Sequence, residues 1–198
     1  MSHKNKKIKF GTKAIHKGQS PEKLYGSVSL PIYQTSTFKQ DKIGEYIYDY
    51  SRAGNPTRTN LEKNICCLEN GKDAIAFSSG LAAISAIVQL FKAGDHFIIT
   101  DNVYGGTFRL MDKIFDKFNI EKSWVDTSIS SNIESAIRSN TKIIFIESPT
   151  NPMMQLSDIS EICKIAHSNN IMVAVDNTFM SPYFQRPLDL GADIVVHS

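Results

Sequence analysis

The sequence has few of the features that mark an exported, membrane-bound or nucleic-acid-binding protein. Its three cysteines are an odd number without metal-ligand spacing, so we expect neither a disulfide framework nor a metal centre. The net charge of +2 gives no electrostatic reason for nucleic-acid binding. No apolar run approaches the length of a membrane span. None follows the basic N-terminal residues either, which we interpret as a solvated tail: Lys4, Lys6, Lys7 and Lys9. We therefore expect a cytoplasmic globular protein.

The glycine-rich motifs of nucleotide-binding proteins are also missing. No GxGxxG stands at the turn after residues 74–77, and GxxxxGK[ST] occurs nowhere in the chain. These motifs bring backbone N–H groups close to a pyrophosphate or a nucleoside triphosphate. A dinucleotide or P-loop site is therefore disfavoured.

What the chain does contain divides at about residue 56. Residues 1–56 carry tyrosines, glycines and short extended pieces such as Leu30 to Phe38, but no convincing long helix. We predict an extended arm there. From Thr57 onward, strands and helices alternate with short connections, so residues 57–198 are predicted to form a larger domain.

Short apolar runs without alternation predict the strands of this domain, at residues 74–77, 97–99, 143–146, 172–175 and 194–196. Such runs are typical of strands buried on both faces, as in a mainly parallel sheet covered by helices. Apolar residues at helical spacing predict the helices, at residues 57–70, 79–92, 107–118 and 158–167. The predicted fold class is therefore α/β.

Polar residues follow each of the predicted strands directly. Ser78 and Ser79 follow the first, Asp101 the second, residues 147–151 the third, Asp176 the fourth and His197 with Ser198 the fifth. If the sheet is parallel, all of these groups share one edge, where open α/β sheets bind ligands. Loops are polar in any case, but the repetition favours one shared site.

Two of these positions suggest a chemistry, and each has a structural alternative. Ser79 and Gly80 open a helix directly from a strand, which suits a phosphate at the helix N-terminus. An ordinary N-cap has the same sequence. Asp176 could hold a cofactor's pyridine nitrogen protonated, which makes the ring a better electron sink. From Asp176 alone, a structural turn or helix cap is the favoured explanation.

The ordered set of motifs resembles one family over nearly the whole chain. The motifs are "YDYSRAGNPTR", "FSSGLAAISA", "DNVYGGTFRL", "ESPTNP", "VDNTF" and "PLDLGADIVVHS". In this order and spacing they resemble the Cys/Met-metabolism enzymes that depend on pyridoxal 5'-phosphate (PLP), which include cystathionine γ-synthase, cystathionine γ- and β-lyases and methionine γ-lyase. The resemblance implies the aminotransferase-like large domain of fold type I, preceded by an arm that contacts the neighbouring subunit.

The resemblance also implies a role for particular residues. Tyr50 and Arg52 match a pair that reaches the PLP phosphate of the neighbouring subunit, and Tyr104 matches a tyrosine that stacks on the ring and moves protons. Tyr104 and Tyr50 are therefore the expected catalytic residues. Asn151 matches a residue near the phenolic oxygen, and Asp176 the partner of the pyridine nitrogen. The remaining matches are to phosphate ligands: Ser79, Gly80, Leu81 and Ser198.

In the family, the lysine that binds PLP lies a few residues beyond the position of Ser198, and a C-terminal domain supplies the arginine for the substrate carboxylate. Neither is present in this sequence. Three explanations are open. The chain is the first part of a longer protein, which we favour; or it is an engineered or proteolytic fragment; or it is a short protein that binds the cofactor without catalysis.

The resemblance finally implies a reaction and an assembly. It implies cleavage of C–S bonds in sulfur amino acids through an external aldimine, loss of the Cα proton and elimination. We predict cystathionine γ-lyase activity, with γ-synthase or β-lyase activity as alternatives. Methionine γ-lyases typically carry a cysteine where this chain has Gly106, which argues against methionine. The implied assembly is a homotetramer of two catalytic dimers.

Overall fold

The computed structural model describes residues 8–198, so most of the basic N-terminal cluster lies outside the described residues: Lys4, Lys6 and Lys7. By its internal contacts the chain divides into two compact units after Ala76. The division predicted from the sequence lies after residue 56 instead. The difference is the helix that follows, which belongs to the first unit. The contact of the arm with a neighbouring subunit stays a prediction.

The first unit contains two helices and an extended segment. Helix α1 spans Phe10–His16 and α2 spans Pro56–Leu68. Asn55 caps α2, since its side chain accepts a hydrogen bond from the backbone N–H of Thr57 at 2.8 Å. Between the helices the chain is mostly irregular, with two isolated antiparallel bridges, which join Thr37 to Tyr50 and Lys42 to Glu45.

The second unit is built on a sheet of five parallel strands in the order β2-β1-β3-β4-β5. The strands are β1 His96–Thr100, β2 Glu121–Val125, β3 Thr141–Glu147, β4 Met172–Asp176 and β5 Ile194–Val196. The helices are α3 Gly80–Val88, α4 Gly105–Arg109, α5 Ser130–Ala136, α6 Ile159–Ser168 and α7 Ser181–Phe184. Helix α4 continues as a π-helical turn, Leu110–Ile114, and a 3₁₀ turn, Phe115–Phe118; a second 3₁₀ turn spans Pro187–Leu190.

Two apolar cores cover the two faces of this sheet. Along β1, Phe97 and Ile99 belong to one core and Ile98 to the other, because successive side chains of a strand point to opposite faces. Helix α3 packs in the first core through Ile84, and α6 in the second through Ile162. The prediction of a parallel sheet with helices on both faces is therefore confirmed.

Four of the predicted strands are present, but the one at residues 74–77 is wrong. This segment joins no strand of the described chain, and the backbone N–H of Ala76 donates to the Glu62 carboxylate at 3.0 Å instead. Ile75 and Phe77 are exposed. An apolar run becomes a strand only where another strand supplies the ladder partners for its backbone groups.

The remaining differences concern strand β2 and the lengths of helices. Strand β2 was not predicted, because Glu121 and Lys122 break the apolar pattern in this edge strand. Helix α3 ends at Val88, earlier than predicted, and the helix predicted at 107–118 changes type at Leu110 and again at Phe115. No helix among residues 8–198 is long and apolar enough to cross a membrane.

Candidate functional site

A cavity of about 290 Å³ opens at the carboxyl edge of the sheet. Every cofactor-binding residue that was predicted within the second unit lines it: Ser79, Gly80, Leu81, Tyr104, Asn151, Asp176 and Ser198. Residues without a predicted role line it as well: Ile84, Thr107, Glu147, Pro149, Thr178 and Phe179. Polar residues that follow β3, β4 and β5 therefore share this cavity with Ser79, whereas Ser78, Asp101 and His197, also expected at the same edge, do not line it.

The cavity lies where the order of the strands reverses. Strand β1 has β2 on one side and β3 on the other, so the chain turns in opposite directions after β1 and β3. Loops that leave neighbouring strands in opposite directions open a crevice between them. Tyr104 follows β1 and Asn151 follows β3, so this topology places both residues at the crevice.

The N-terminus of α3 forms one wall. The Ser79 hydroxyl caps the helix by accepting from the backbone N–H of Ala82 at 3.1 Å, so the structural alternative for Ser79 is realised. Capping does not exclude a phosphate, because the first turn of a helix leaves further backbone N–H groups without partners. Gly80 keeps this wall open, since a Cβ atom there would lie 2.6 Å from the Cβ of Ser198.

Asp176, Thr178 and Ser198 form a hydrogen-bonded chain on another wall. The hydroxyl of Thr178 donates to Asp176 Oδ1 at 2.6 Å, and the backbone N–H of Thr178 donates to the same oxygen at 3.0 Å. The backbone N–H of Ser198 donates to Thr178 Oγ1 at 3.1 Å. Among the described residues no protein donor reaches Oδ2 of Asp176, so this oxygen is available to a ligand.

Tyr104 contacts Glu147 through its backbone and Gly106 through its ring. Its N–H donates to Glu147 Oε2 at 2.8 Å, and its half-exposed ring lies over Gly106. A Cβ atom on Gly106 would lie only 2.3 Å from Tyr104 Cε1. The glycine that argued against methionine as substrate is thus required by the present position of the tyrosine ring.

Glu147, the last residue of β3, was expected at the polar edge of the sheet but was given no role in the site. It is 5% exposed and accepts two backbone hydrogen bonds, from Tyr104 at 2.8 Å and from Asn151 at 2.7 Å. Burial raises the pKa of its carboxyl, and the neighbouring charge of Asp176 acts in the same direction, while the two hydrogen bonds act against them. Its place directly after an apolar run was the available signal in the sequence.

Thr107, in the first turns of α4, is a second unpredicted residue. It is fully buried, and its hydroxyl has no hydrogen-bond partner among residues 8–198. A threonine in a helix usually bonds a carbonyl three or four residues earlier. Nothing in the sequence distinguishes an unpaired hydroxyl from one bonded in that way.

Tyr50 and Arg52 belong to the first unit. The Arg52 guanidinium lies 5.1 Å from the centre of the Tyr50 ring, a cation–π contact, and it forms no ion pair in the part of the chain that the structure describes. Their predicted contact with a phosphate of the neighbouring subunit stays a prediction.

A sequence model of the Cys/Met metabolism PLP-dependent enzymes matches residues 11–198. The chain belongs to this family. The predicted resemblance is confirmed, and PLP, the predicted cofactor, is the cofactor of the family.

Relatives within the Cys/Met-metabolism family carry the names of two different lyases. The chain is 51% identical over 192 residues to the cystathionine gamma-lyase of Bacillus subtilis (strain 168), an alignment that covers 96% of this chain and 51% of that protein. It is 53% identical over 188 residues to the cystathionine beta-lyase of Lactococcus lactis subsp. cremoris (strain MG1363), covering 94% and 50%. The chain thus spans about half the length of these curated relatives.

A solved structure supports the fold class. The crystal structure of cystathionine gamma-lyase from Lactobacillus plantarum, complexed with L-serine, matches with a TM-score of 0.94 at 49% identity. The match covers 96% of this chain and 50% of that one. The prediction of a fold type I large domain is confirmed.

The residues that line the cavity fit the parts of PLP. A phosphate needs N–H donors and close approach, which the start of α3 and Gly80 provide. A protonated pyridine nitrogen needs an acceptor, and Asp176 Oδ2 is available. A flat ring needs an apolar or aromatic surface, and Tyr104 offers its ring at the cavity wall.

Proposed function

We propose that the protein carrying this chain cleaves a C–S bond of a sulfur amino acid with PLP as cofactor, and that it acts as a cystathionine γ-lyase. One observation carries the proposal: one cavity at the switch point of the sheet is lined by a phosphate-binding turn, a free carboxylate oxygen and a tyrosine ring. The turn suits the phosphate of PLP, the carboxylate oxygen suits its pyridine nitrogen, and the tyrosine suits its flat ring. Membership of the Cys/Met-metabolism family supports the reaction class.

In this proposal each residue of the chain has a definite task. The N–H groups at the start of α3, with Ser79 and Ser198, bind the phosphate. Oδ2 of Asp176 would accept a hydrogen bond from the protonated pyridine nitrogen and so keep the ring protonated. Tyr104 stacks on the ring and carries protons to and from the substrate amine, while Asn151 contacts the phenolic oxygen.

Bound PLP supplies an electron sink for the charge that remains after the Cα proton of an amino acid leaves. Thr178 keeps the Asp176 carboxylate oriented toward the ring, because its two hydrogen bonds occupy Oδ1 only. The lysine that the family places beyond Ser198, and the arginine for the substrate carboxylate, stay predictions about the longer protein.

A second candidate is cystathionine β-lyase activity, favoured by the Lactococcus relative at 53% identity. The two reactions release different products from the same substrate, so one incubation separates them. The full-length protein is incubated with cystathionine and PLP. Cysteine with 2-oxobutyrate supports γ-cleavage, and homocysteine with pyruvate supports β-cleavage. Activity only with an O-acylated homoserine and cysteine would refute both lyase assignments in favour of γ-replacement.

We further propose that the active species is a homotetramer built from catalytic dimers in the cytoplasm. The guanidinium of Arg52 supports a site shared between two subunits, because it pairs with no carboxylate of residues 8–198 and can bind a phosphate of the neighbouring subunit. Light scattering on the purified full-length protein measures the assembly. A catalytically active monomer would contradict the proposal.

A further inference from the structure

Glu147 joins two loops that leave the sheet from different strands. One carboxylate oxygen accepts from Tyr104, which follows β1, and the other accepts from Asn151, which follows β3. Both donors are backbone N–H groups, and both residues line the cavity. A single side chain thereby fixes the two loops at the switch point of the sheet.

We propose that Glu147 is a positioning residue of this site: its carboxylate sets the places of Tyr104 and Asn151 against the cofactor and acts through them. The proposal rests on the proposed function and adds a residue to it. It concerns the catalytic geometry, since the tyrosine is the ring-stacking, proton-carrying group and the asparagine contacts the ring oxygen.

The geometry of the carboxylate favours this role. Oε2 lies 2.8 Å from the Tyr104 nitrogen and Oε1 lies 2.7 Å from the Asn151 nitrogen, distances typical of charge-assisted hydrogen bonds. Each carboxylate oxygen therefore accepts one of the two N–H groups. An amide has one acceptor, and its NH₂ would face an N–H donor.

Other hydrogen bonds also join the segments that follow β1 and β3. The Asn102 side chain, after β1, donates to the Thr150 hydroxyl, after β3, at 3.3 Å. The Thr100 hydroxyl also accepts from the backbone N–H of Glu147 at 3.4 Å and pairs with Thr127 at 2.9 Å. We therefore expect a protein without the Glu147 carboxylate to fold while Tyr104 and Asn151 lose their common anchor.

A buried carboxylate beside a second one destabilises the fold unless it is compensated, so its presence at position 147 agrees with a functional role. Burial and the charge of Asp176, the register partner of Glu147 on β4, both raise the pKa of the Glu147 carboxyl. A carboxylate is thus retained beside another one in a buried place. The two N–H donors compensate it, and both belong to residues of the cavity.

Glu147→Gln in the full-length PLP-loaded protein tests the role, with Asp95→Asn as the matched control. Asp95 is also a buried carboxylate that accepts a backbone N–H, from Lys92 at 2.9 Å, but it precedes β1 at the opposite edge of the sheet. The measurements are kcat and KM for cystathionine, the visible circular dichroism of bound PLP, the PLP affinity and urea unfolding of the PLP-free protein.

We expect Glu147→Gln to lower kcat by at least tenfold, with a smaller change in KM, and to alter the dichroism of the bound cofactor. Asp95→Asn is expected to lower only the urea midpoint. If Glu147→Gln does not fold, Glu147→Asp replaces it, because the shorter carboxylate cannot reach both N–H groups at once. A variant with wild-type dichroism, PLP affinity and kcat overturns the positioning role alone. A wild-type protein that neither binds PLP nor cleaves C–S bonds overturns the proposed function with it.

Discussion

Gly80 and Ser198 touch across the wall of the cavity: a Cβ atom on Gly80 would lie 2.6 Å from the Cβ and 2.9 Å from the Oγ of Ser198. The start of α3 and the segment after β5 therefore approach each other as closely as two backbones with one small side chain allow. This contact joins two elements that are far apart in the sequence. It also brings the N–H groups of α3 and the Ser198 hydroxyl to the same part of the cavity.

We expect Gly80→Ala to weaken PLP binding and to lower the free energy of unfolding by roughly 1–3 kcal/mol, the usual cost of overpacking. The added methyl group must displace Ser198, one of the proposed phosphate ligands. PLP titration followed by absorbance, and urea unfolding, measure the two effects. Gly11→Ala is the control, because Gly11 also lies in a helix but has open space around it. Equal behaviour of the two variants would contradict the close packing at Gly80.

The sequence was most informative about the middle of the sheet. Strands β3 and β4 are continuous apolar runs followed by polar residues, so both the strands and the common edge could be predicted. Strand β2 could not, because an edge strand is less buried and tolerates Glu121 and Lys122. The apolar run at 74–77 predicted a strand that the described chain does not have, since periodicity does not reveal whether a neighbouring strand exists.

The residues of the candidate site also fall into those that the sequence could identify and those that it could not. Residues recognised by motif order, such as Tyr104 and Asp176, line one cavity, and their roles toward the cofactor stay predictions. Glu147 and Thr107 were not assigned, because their significance depends on which backbone groups a side chain reaches in three dimensions. Spacing along the chain carries no information about that.

Gly106 supports a prediction about the tyrosine ring. We expect Gly106→Ala to change the visible spectrum of bound PLP and to lower kcat, because the new Cβ atom would lie 2.3 Å from Tyr104 Cε1 and force the ring to move. Gly105→Ala is the control, since its nearest neighbour is the flexible tip of Arg109 at 3.3 Å. In a Tyr104→Ala background the Gly106→Ala change should have little further effect, as expected for residues in contact. Additive effects in this double-mutant cycle would argue against the ring contact.

Thr107 gives a prediction about stability. Replacing it with valine removes a buried hydroxyl that has no partner in the described residues and keeps the shape of the side chain. We expect Thr107→Val to leave the free energy of unfolding of the PLP-free protein unchanged or to raise it by about 1 kcal/mol. Thr100→Val should lower it by roughly 1–3 kcal/mol, because that hydroxyl is buried and bonds Thr127 at 2.9 Å. A loss of stability in Thr107→Val equal to that in Thr100→Val would show that the Thr107 hydroxyl is bonded.

His96 gives a prediction about pH. Its ring is buried between the hydroxyls of Thr141, at 2.8 Å from Nδ1, and Ser123, at 3.0 Å from Nε2. Burial lowers the pKa of this imidazole, and the nearby charge of Arg138 acts in the same direction. The unfolded chain therefore takes up a proton at higher pH than the folded protein does. The contribution of the neutral His96 ring to the free energy of unfolding is fully present above the pKa of the unfolded chain, about 6.5. It is lost as the pH falls through the lower pKa of the folded protein.

Urea unfolding at several pH values between about 5 and 8 measures this dependence. We expect the wild-type free energy of unfolding to decrease on acidification over this range, and His96→Asn to flatten that decrease. His16→Asn is the control, because His16 is exposed on α1. An identical slope in wild type and His96→Asn would assign the acid sensitivity to other groups.

Arg52 gives the prediction about the arm. Its guanidinium contacts the Tyr50 ring at 5.1 Å and pairs with no carboxylate in the described chain, so its charge is available to a phosphate. We expect Arg52→Ala to weaken PLP retention by roughly tenfold, which corresponds to about 1.4 kcal/mol. Arg52→Lys should restore only part of it, because an ammonium group lacks the planar fork that holds two phosphate oxygens. Lys39→Ala is the matched control, a loss of positive charge in the same arm at a side chain that pairs with Asp41 at 2.9 Å. Retention is measured by dialysis of the PLP-loaded full-length protein. Equal retention in wild type and Arg52→Ala would remove the arm from the cofactor site and with it the main support for a shared site between subunits.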